Sequence, residues 1–308
     1  MTTSVVGLVP HPTKNIDASL DTIENWAREQ GVSLLAVAGD SAPRRASIEL
    51  VSHERFTADV DALVALGGDG TMLGAMRLAA DRPVPVLGVN YGNLGFLVEV
   101  QPADLEVALE RVRTGAFQLE PHHALEVSLN DDGVQRTMLA FNDFTVARRP
   151  GGGVVSADLE VDGTAFGYYK ADALVIATAA GSTAYNYAAG GPILSPGVAA
   201  TVVTPVAPMA GISRAVVLGA EEVMHLTIGA GTRSAAVELD GLVVADISEG
   251  SEISVRLLRD AGMVIRLDSR RHANSGLIKL SLLDLPLRAG QLKEFVPEEL
   301  RERGRTEN

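Results

Sequence analysis

The chain has 308 residues, no cysteine, and a formal charge of −13 that follows from 26 basic and 39 acidic side chains. The lack of cysteine excludes disulfides, thiolate metal sites and cysteine nucleophiles, and the negative charge argues against duplex nucleic acid or an anionic membrane surface as a partner. No apolar run approaches the ~18 residues of a membrane span, and the first residues lack the pattern of a secretory signal. We therefore predict a cytoplasmic protein that binds neither nucleic acid nor membranes.

The first third of the chain alternates between strand and helix patterns. Four short runs rich in Val and Leu are typical of buried parallel strands, and they lie at 4–10, 33–39, 62–68 and 84–90. Segments with helical spacing of apolar residues lie between and after them, at 17–31, 71–80 and 102–115. This alternation predicts a doubly wound α/β domain over residues 1–120.

After about residue 120, strands and turns dominate. Asp-Gly pairs at 132–133, 162–163 and 240–241 separate alternating runs and predict hairpins, and the stretch at 256–268 predicts a longer glycine-containing turn. We interpret residues 121–270 as a β-sandwich domain and 271–308 as a C-terminal segment that returns to the first domain and ends in a disordered tail. The predicted fold class is therefore α/β followed by β.

The stretch "ALGGDGTML" places Asp69 at the exit of a predicted strand, where Gly67, Gly68 and Gly70 allow a ligand to approach the backbone. Amides at the start of the next helix are suited to a phosphate. Thr71 is placed either to cap that helix or to hydrogen-bond the same phosphate. A carboxylate beside a phosphate repels it, unless the carboxylate accepts a proton from an attacking hydroxyl or meets the phosphates through magnesium. A simple turn or helix cap explains Gly-Asp-Gly about equally well.

Two more strand exits are rich in glycine, "GVNYGNLGFL" at 88–97 and "GSTAYNYAAGGPIL" at 181–194. A close-packed helix explains the alanines of the second stretch, but it does not explain its hydroxyl side chains, which are typical of a phosphate or ribose site. Three such exits predict a large, flat, polar ligand that lies along the backbone. Arg148, just before a glycine loop, is placed either to meet phosphates or to end a solvated hairpin.

These stretches, together with "NDFTV" at 142–146, resemble the NAD kinase family and keep its order along the chain. GGDG alone is shared with diacylglycerol-type lipid kinases and phosphofructokinases, whereas the 181–194 block is far more specific. The resemblance implies transfer of a phosphoryl group from ATP or polyphosphate to the 2′-hydroxyl of the adenosine ribose of NAD. It also implies a divalent cation, Mg²⁺, that accompanies ATP, and assembly as a homodimer or homotetramer.

The resemblance also implies roles for individual residues. Asp69 would be the general base, and no residue of the chain is assigned as a metal ligand. The residues that would contact NAD, some of them in a neighbouring subunit, are Gly70, Asn90, Phe96, Asn142, Asp143, Lys170, Asp172, Ala180, Thr183, Ala184, Tyr185 and Ala188. The residues that would contact the donor phosphates are Gly67, Gly68, Thr71 and Arg148.

The chain departs from the family pattern at several positions. Asp143 stands where a glutamate is usual, and 178–182 reads Thr-Ala-Ala-Gly-Ser instead of Thr-Pro-Thr-Gly-Ser. Met209 replaces a histidine, and Leu242 lies near a position that is often glutamine. We interpret these changes as an altered substrate contact in a working kinase. The alternatives are a protein that binds NAD or NADPH without turnover, and a kinase that acts on NADH or another nucleoside.

Overall fold

The structure is a computed structural model that describes residues 3–40, 42–92, 96–131 and 133–268. The first half contains five parallel strands in the spatial order β5-β4-β1-β2-β3. They are β1 (Val5–Pro10), β2 (Ser33–Val37), β3 (Ile48–Val51), β4 (Ala62–Gly67) and β5 (Pro85–Asn90). The helices are α1 (Asp17–Gln30), α2 (His53–Asp59), α3 (Asp69–Leu78) and α4 (Leu105–Thr114).

The predicted strands and helices of this half are present, and two short elements, β3 and α2, were not predicted. β4 is buried at all six positions, as a strand covered on both faces should be. The unpredicted β3 has only four residues, of which the first and last are buried and the middle two exposed. A segment so short carries too few apolar positions to reveal its period.

The second half is built from antiparallel strands. They are β6 (Gln118–Asp131), β7 (Val134–Ala140), β8 (Asp143–Arg148), β9 (Val155–Val161), β10 (Thr164–Ala171), β11 (Ala173–Thr178), β12 (Ala200–Val206), β13 (Ala210–Gly211), β14 (Val216–Gly219), β15 (Met224–Ile228), β16 (Ala235–Leu239), β17 (Leu242–Ile247) and β18 (Glu252–Arg266). A short 3₁₀ helix (Gly181–Thr183) and α5 (Tyr185–Ala188) lie between β11 and β12. Asp162 and Asp240 have positive φ and are followed by glycines with positive φ, as two-residue hairpin turns require.

These strands form two layers. Six of them make a sheet of order β14-β12-β11-β8-β16-β17, and the others belong to a sheet that continues into the parallel strands. Between the layers lies a core that includes Phe144 and Ile176 of the six-stranded sheet and Leu226 and Val255 of the other. An α/β domain followed by a β-sandwich is therefore confirmed.

β18 joins the two halves of the molecule. It pairs antiparallel with β6 and β15, and then parallel with β5 through Met263 and Val264. The longer turn that the sequence predicts at 256–268 is wrong, because β18 runs through this stretch with only an irregularity between Leu258 and Gly262. A Cβ at Gly262 would lie 2.8 Å from both Met76 and Phe141, so this glycine is needed for packing. The predicted C-terminal segment at 271–308 lies outside the described residues.

Among the described residues, no helix is long and apolar enough to cross a membrane.

Candidate active site

The glycine turn lies at the carboxyl end of β4, where α3 begins at Asp69, two residues before the predicted start. Gly68 is the N-cap in an extended conformation, and Thr71 therefore lies inside the first turn and does not cap the helix. The Thr71 side chain packs over Gly67, where a Cβ would lie 2.0 Å from the Thr71 hydroxyl oxygen. By contrast, apart from the adjoining backbone, no atom of the described residues lies within 4 Å of the Cβ positions of Gly68 and Gly70. The fold needs Gly67, whereas the space beside the other two is open.

The carboxylate of Asp69 is fixed by backbone amides. The Phe96 amide donates to Oδ1 at 3.0 Å and to Oδ2 at 2.9 Å, and the Leu97 amide donates to Oδ1 at 2.9 Å. The side chain is half-buried. The structure therefore brings Asp69 and Phe96 together, as a shared site requires.

A second part of the edge is formed by the exit of β5. Asn90 pairs in register with Gly67, and the Tyr91 amide donates to the Gly67 carbonyl at 2.7 Å. The Asn90 side-chain oxygen accepts from the Gly92 amide at 2.9 Å. Asn90 thus lies beside the glycine turn, although its side chain is engaged within its own loop.

Lys14 lies at the same edge and was not recognised from the sequence. It follows β1, and its ammonium donates to the Tyr91 carbonyl and lies 3.4 Å from the Cβ position of Gly92, which itself lies 4.0 Å from the Gly68 Cα. Among the described residues, no carboxylate forms a salt bridge with Lys14. The available signal was topological, because β1 and β4 are neighbouring parallel strands whose carboxyl ends share one edge.

The loop that carries Asn142 and Asp143 is held by Asp240. The Asp240 carboxylate accepts from the amides of Phe141 at 3.1 Å, Asn142 at 2.6 Å and Asp143 at 3.2 Å. Its side chain is 1% exposed and forms an ion pair with Arg77 of α3. The helix that begins with Asp69 is therefore connected to the Asn142–Asp143 loop through one buried carboxylate.

Asp143 is buried beside two other acids. Burial, with a smaller contribution from the negative charges of Asp240 and Glu238, raises the pKa of the Asp143 carboxyl to about 7. A hydrogen bond from the Tyr185 backbone acts in the opposite direction. At neutral pH this group exists in both protonation states, so it can donate or accept a hydrogen bond.

The segment after β11 folds over the Asn142 loop. The Thr178 hydroxyl donates to the Phe141 carbonyl at 2.7 Å, and a Cβ at Gly181 would lie 1.9 Å from the Asn142 oxygen. The Asn186 amide ties the segment together by donating to the carbonyls of Ser182 and Pro192. Thr178 and Gly181 therefore hold the start of this segment against the loop. The predicted residues that belong to the segment are Ala180, Thr183, Ala184, Tyr185 and Ala188.

Three other predicted residues form a separate cluster. Arg148 pairs with Asp172 at 2.6 Å, and Lys170 lies two residues before Asp172. Arg148 ends β8, about 17 Å along the strand from Asp143 at ~3.3 Å per residue. Within one chain, the structure does not bring this cluster to the Asn142 loop.

The two apolar departures from the family pattern lie on the surface at different places. The Met209 amide donates to the Lys170 carbonyl at 2.7 Å, so Met209 lies beside the cluster of Arg148, Lys170 and Asp172. Leu242 directly follows the Asp240–Gly241 turn, whose Asp240 holds the Asn142 loop. Their side chains are 59% and 58% exposed, respectively.

A fixed carboxylate between open glycines, at the start of a helix and at the carboxyl edge of a parallel sheet, suits an enzyme that transfers phosphoryl groups between nucleotides. Family models for the ATP-NAD kinase N-terminal and C-terminal domains match residues 15–117 and 141–267. The chain belongs to the NAD kinase family.

Individual relatives agree with this. The NAD kinase of Heliobacterium modesticaldum is 38% identical over 68% of this chain and 75% of its own length. That of Koribacter versatilis is 34% identical over 82% of this chain and 89% of its own. The crystal structure of yeast NADH kinase complexed with NADH shares the fold with a TM-score of 0.79 and 22% identity, over 94% of this chain and 90% of that one.

Proposed function

We propose that this protein transfers the γ-phosphoryl group of ATP to the 2′-hydroxyl of the adenosine ribose of NAD, which gives NADP and ADP. A polyphosphate phosphoryl group is the alternative donor. The observation that carries this proposal is the Asp69 carboxylate, which backbone amides hold beside the open Gly68 and Gly70. Membership of the NAD kinase family supports the choice of NAD as the acceptor.

The hydrogen bonds of Asp69 favour one of its two oxygens as the base. Each carboxylate oxygen offers about two acceptor positions. Oδ1 accepts from two amides, whereas Oδ2 accepts only from Phe96 among the described residues. Oδ2 would take the proton of the ribose hydroxyl as the new bond from oxygen to the γ-phosphorus forms and the bond to the ADP oxygen breaks.

The donor phosphates would lie over the glycine turn. The amides at the start of the ten-residue helix α3 carry partial positive charge, and the open faces of Gly68 and Gly70 let phosphate oxygens approach them. The Lys14 ammonium lies at the same edge and would add a full positive charge. Most of the catalysis would come from positioning and from charge stabilisation.

Phosphoryl transfer from ATP in this family calls for a divalent metal, and we propose Mg²⁺. The described residues contain no group of three or more His, Asp or Glu side chains that could hold a metal ion by themselves. Mg²⁺ usually keeps several waters and binds substrate phosphates, so a cation carried by ATP does not need such a group. Such a cation would neutralise charge on the phosphate oxygens during transfer.

NAD would occupy the space between the glycine turn and the loop at 141–143. Asn142 and Asp143 would hydrogen-bond the ribose and amide ends of NAD, and the segment at 180–188 would cover it. The cluster of Arg148, Lys170 and Asp172 would reach NAD only from a second subunit, which supports a homodimer or homotetramer. Location in the cytoplasm stays a prediction.

The assay of this proposal uses purified protein with MgATP and NAD, and measures NADP with an NADP-specific dehydrogenase. Polyphosphate and NADH replace ATP and NAD in parallel reactions. We expect NADP to accumulate in proportion to enzyme. Saturable NAD binding without NADP formation would contradict the proposal and favour the protein that binds without turnover.

A further inference from the structure

Arg266, the last residue of β18, is a buried cation close to the candidate active site. Its side chain is 4% exposed. Its guanidinium donates through Nη1 to the Leu97 carbonyl at 3.2 Å and through Nη2 to the Phe96 carbonyl at 3.1 Å. Phe96 and Leu97 are the same two residues whose amides hold the Asp69 carboxylate. Arg266 and Asp69 therefore contact the same short stretch of backbone. Arg266 binds the carbonyls of this stretch, and Asp69 binds its amides.

Two acids compensate the charge of Arg266. Glu120 accepts from Nε at 2.9 Å and from Nη2 at 3.1 Å, and Glu99 lies 3.4 Å from Nη1. Glu99 also accepts from the amide of Leu267 at 2.7 Å. To neutralise Glu99 and Glu120, any positively charged side chain at this position would be enough. The two carbonyl contacts need the fork of an arginine, because a lysine presents a single point charge.

We propose that Arg266 is a positioning residue for Asp69. By holding the Phe96 carbonyl, it fixes the peptide plane that joins Phe96 to Leu97. The N–H of that plane is the Leu97 amide, which donates to Asp69 Oδ1 and leaves Oδ2 available to the ribose hydroxyl. This assignment rests on the proposed function of Asp69 as the base. Arg266 itself touches neither substrate nor phosphate in this account.

The test compares Arg266→Lys with a matched substitution, Arg111→Lys, in the full-length chain. Arg111 donates to the carbonyl of Leu267, the residue next to Arg266, and to that of Ala116. In Arg266→Lys the charge beside Glu99 and Glu120 is kept and the fork is lost. We expect kcat to fall about 10- to 100-fold, because a small misplacement of a catalytic group has effects of this size. KM for NAD and ATP should stay within about threefold, and Arg111→Lys should keep the wild-type kcat.

The same substitution is then made in an Asp69→Asn background, with residual NADP formation followed by radiolabelled ATP. If Arg266 acts through Asp69, Arg266→Lys should lower the residual rate no further, because the group that it positions is already gone. An equal fold-loss in both backgrounds, an unchanged kcat in the single variant, or an equal kcat loss in Arg111→Lys would overturn the assignment. A wild-type protein that forms no NADP would refute the proposed function as well.

Discussion

Arg77 of α3 forms an ion pair with Asp240, which also accepts hydrogen bonds from the amides of the Asn142 loop. The pair connects positions 163 residues apart in the sequence. The helix that presents Asp69 and the loop proposed to hold NAD are therefore fixed to each other by a carboxylate that is almost fully buried. The relative placement of base and acceptor should depend on Asp240.

Asp240→Asn tests this dependence. The substitution removes the partner of Arg77 and weakens the bonds to three amides, so the free energy of unfolding should fall by about 2–3 kcal/mol. KM for NAD should rise, because the Asn142 loop loses its anchor. Urea denaturation and steady-state kinetics measure the two effects.

Asp162→Asn is the control for this prediction. Asp162 also begins a two-residue turn with positive φ, but it is exposed and its carboxylate accepts from the Val223 amide at 3.0 Å, away from the Asn142 loop. We expect a loss of at most about 1 kcal/mol and an unchanged KM. If both variants behaved alike, the Asp240 contacts would have no special role in the site.

The open glycines offer a second test. Gly70→Ala adds a methyl group at a position that the described side chains leave free, and it improves helix propensity, so the protein should become more stable by about 0.5–1 kcal/mol. If phosphates approach this backbone, kcat/KM for ATP should nevertheless fall at least about tenfold, since even a small misplacement of the phosphates is costly. Thermal unfolding and kinetics with varied ATP measure the two quantities.

Gly74→Ala is the matched variant, because Gly74 lies on the same helix and also has free space at its Cβ position. It should gain similar stability and keep wild-type kinetics. Full activity in Gly70→Ala would show that the donor does not approach the glycine turn closely.

The raised pKa of Asp143 makes stability depend on pH. Between the ordinary value of 3.8 and the folded value of about 7, the folded protein keeps a proton that the unfolded chain has released. The free energy of unfolding should therefore fall as pH rises through this window, by at most about 4 kcal/mol for this group. Asp143→Asn has no such proton, so its stability relative to wild type should be greater at pH 8 than at pH 5. Urea denaturation measures both stabilities. The same difference between variant and wild type at pH 5 and pH 8 would contradict the raised pKa of Asp143.

Local patterns in the sequence were enough to predict the order of most strands and helices. The Asp-Gly turns at 162 and 240 follow from backbone conformations that few residues adopt. The same reasoning failed at 256–268, because a glycine needed for packing against Met76 and Phe141 has the same signature as a turn glycine. The unpredicted β3 and α2 are too short for their periodicity to be recognised.

The candidate site also has one part that the sequence reveals and another part that it does not. The glycine turn and Asp69 are contiguous, so the sequence reveals them together. The residues that support them are distant in the sequence; Arg266 and Phe96, for example, are 170 positions apart. Such contacts depend on how β18 returns to β5, and no local pattern encodes that pairing. Nor did the sequence show that Arg148 and Asp143 lie at opposite ends of one strand.

The most direct measurement is NADP formation by Asp69→Asn beside the wild-type protein, at saturating MgATP and NAD. Asparagine keeps the size of the side chain and an oxygen that can accept from the Phe96 and Leu97 amides, but it cannot take up the ribose proton. We expect kcat to fall by about 10²- to 10⁴-fold with KM for NAD little changed. A variant that formed NADP at the wild-type rate would show that Asp69 is not the base and would contradict the account.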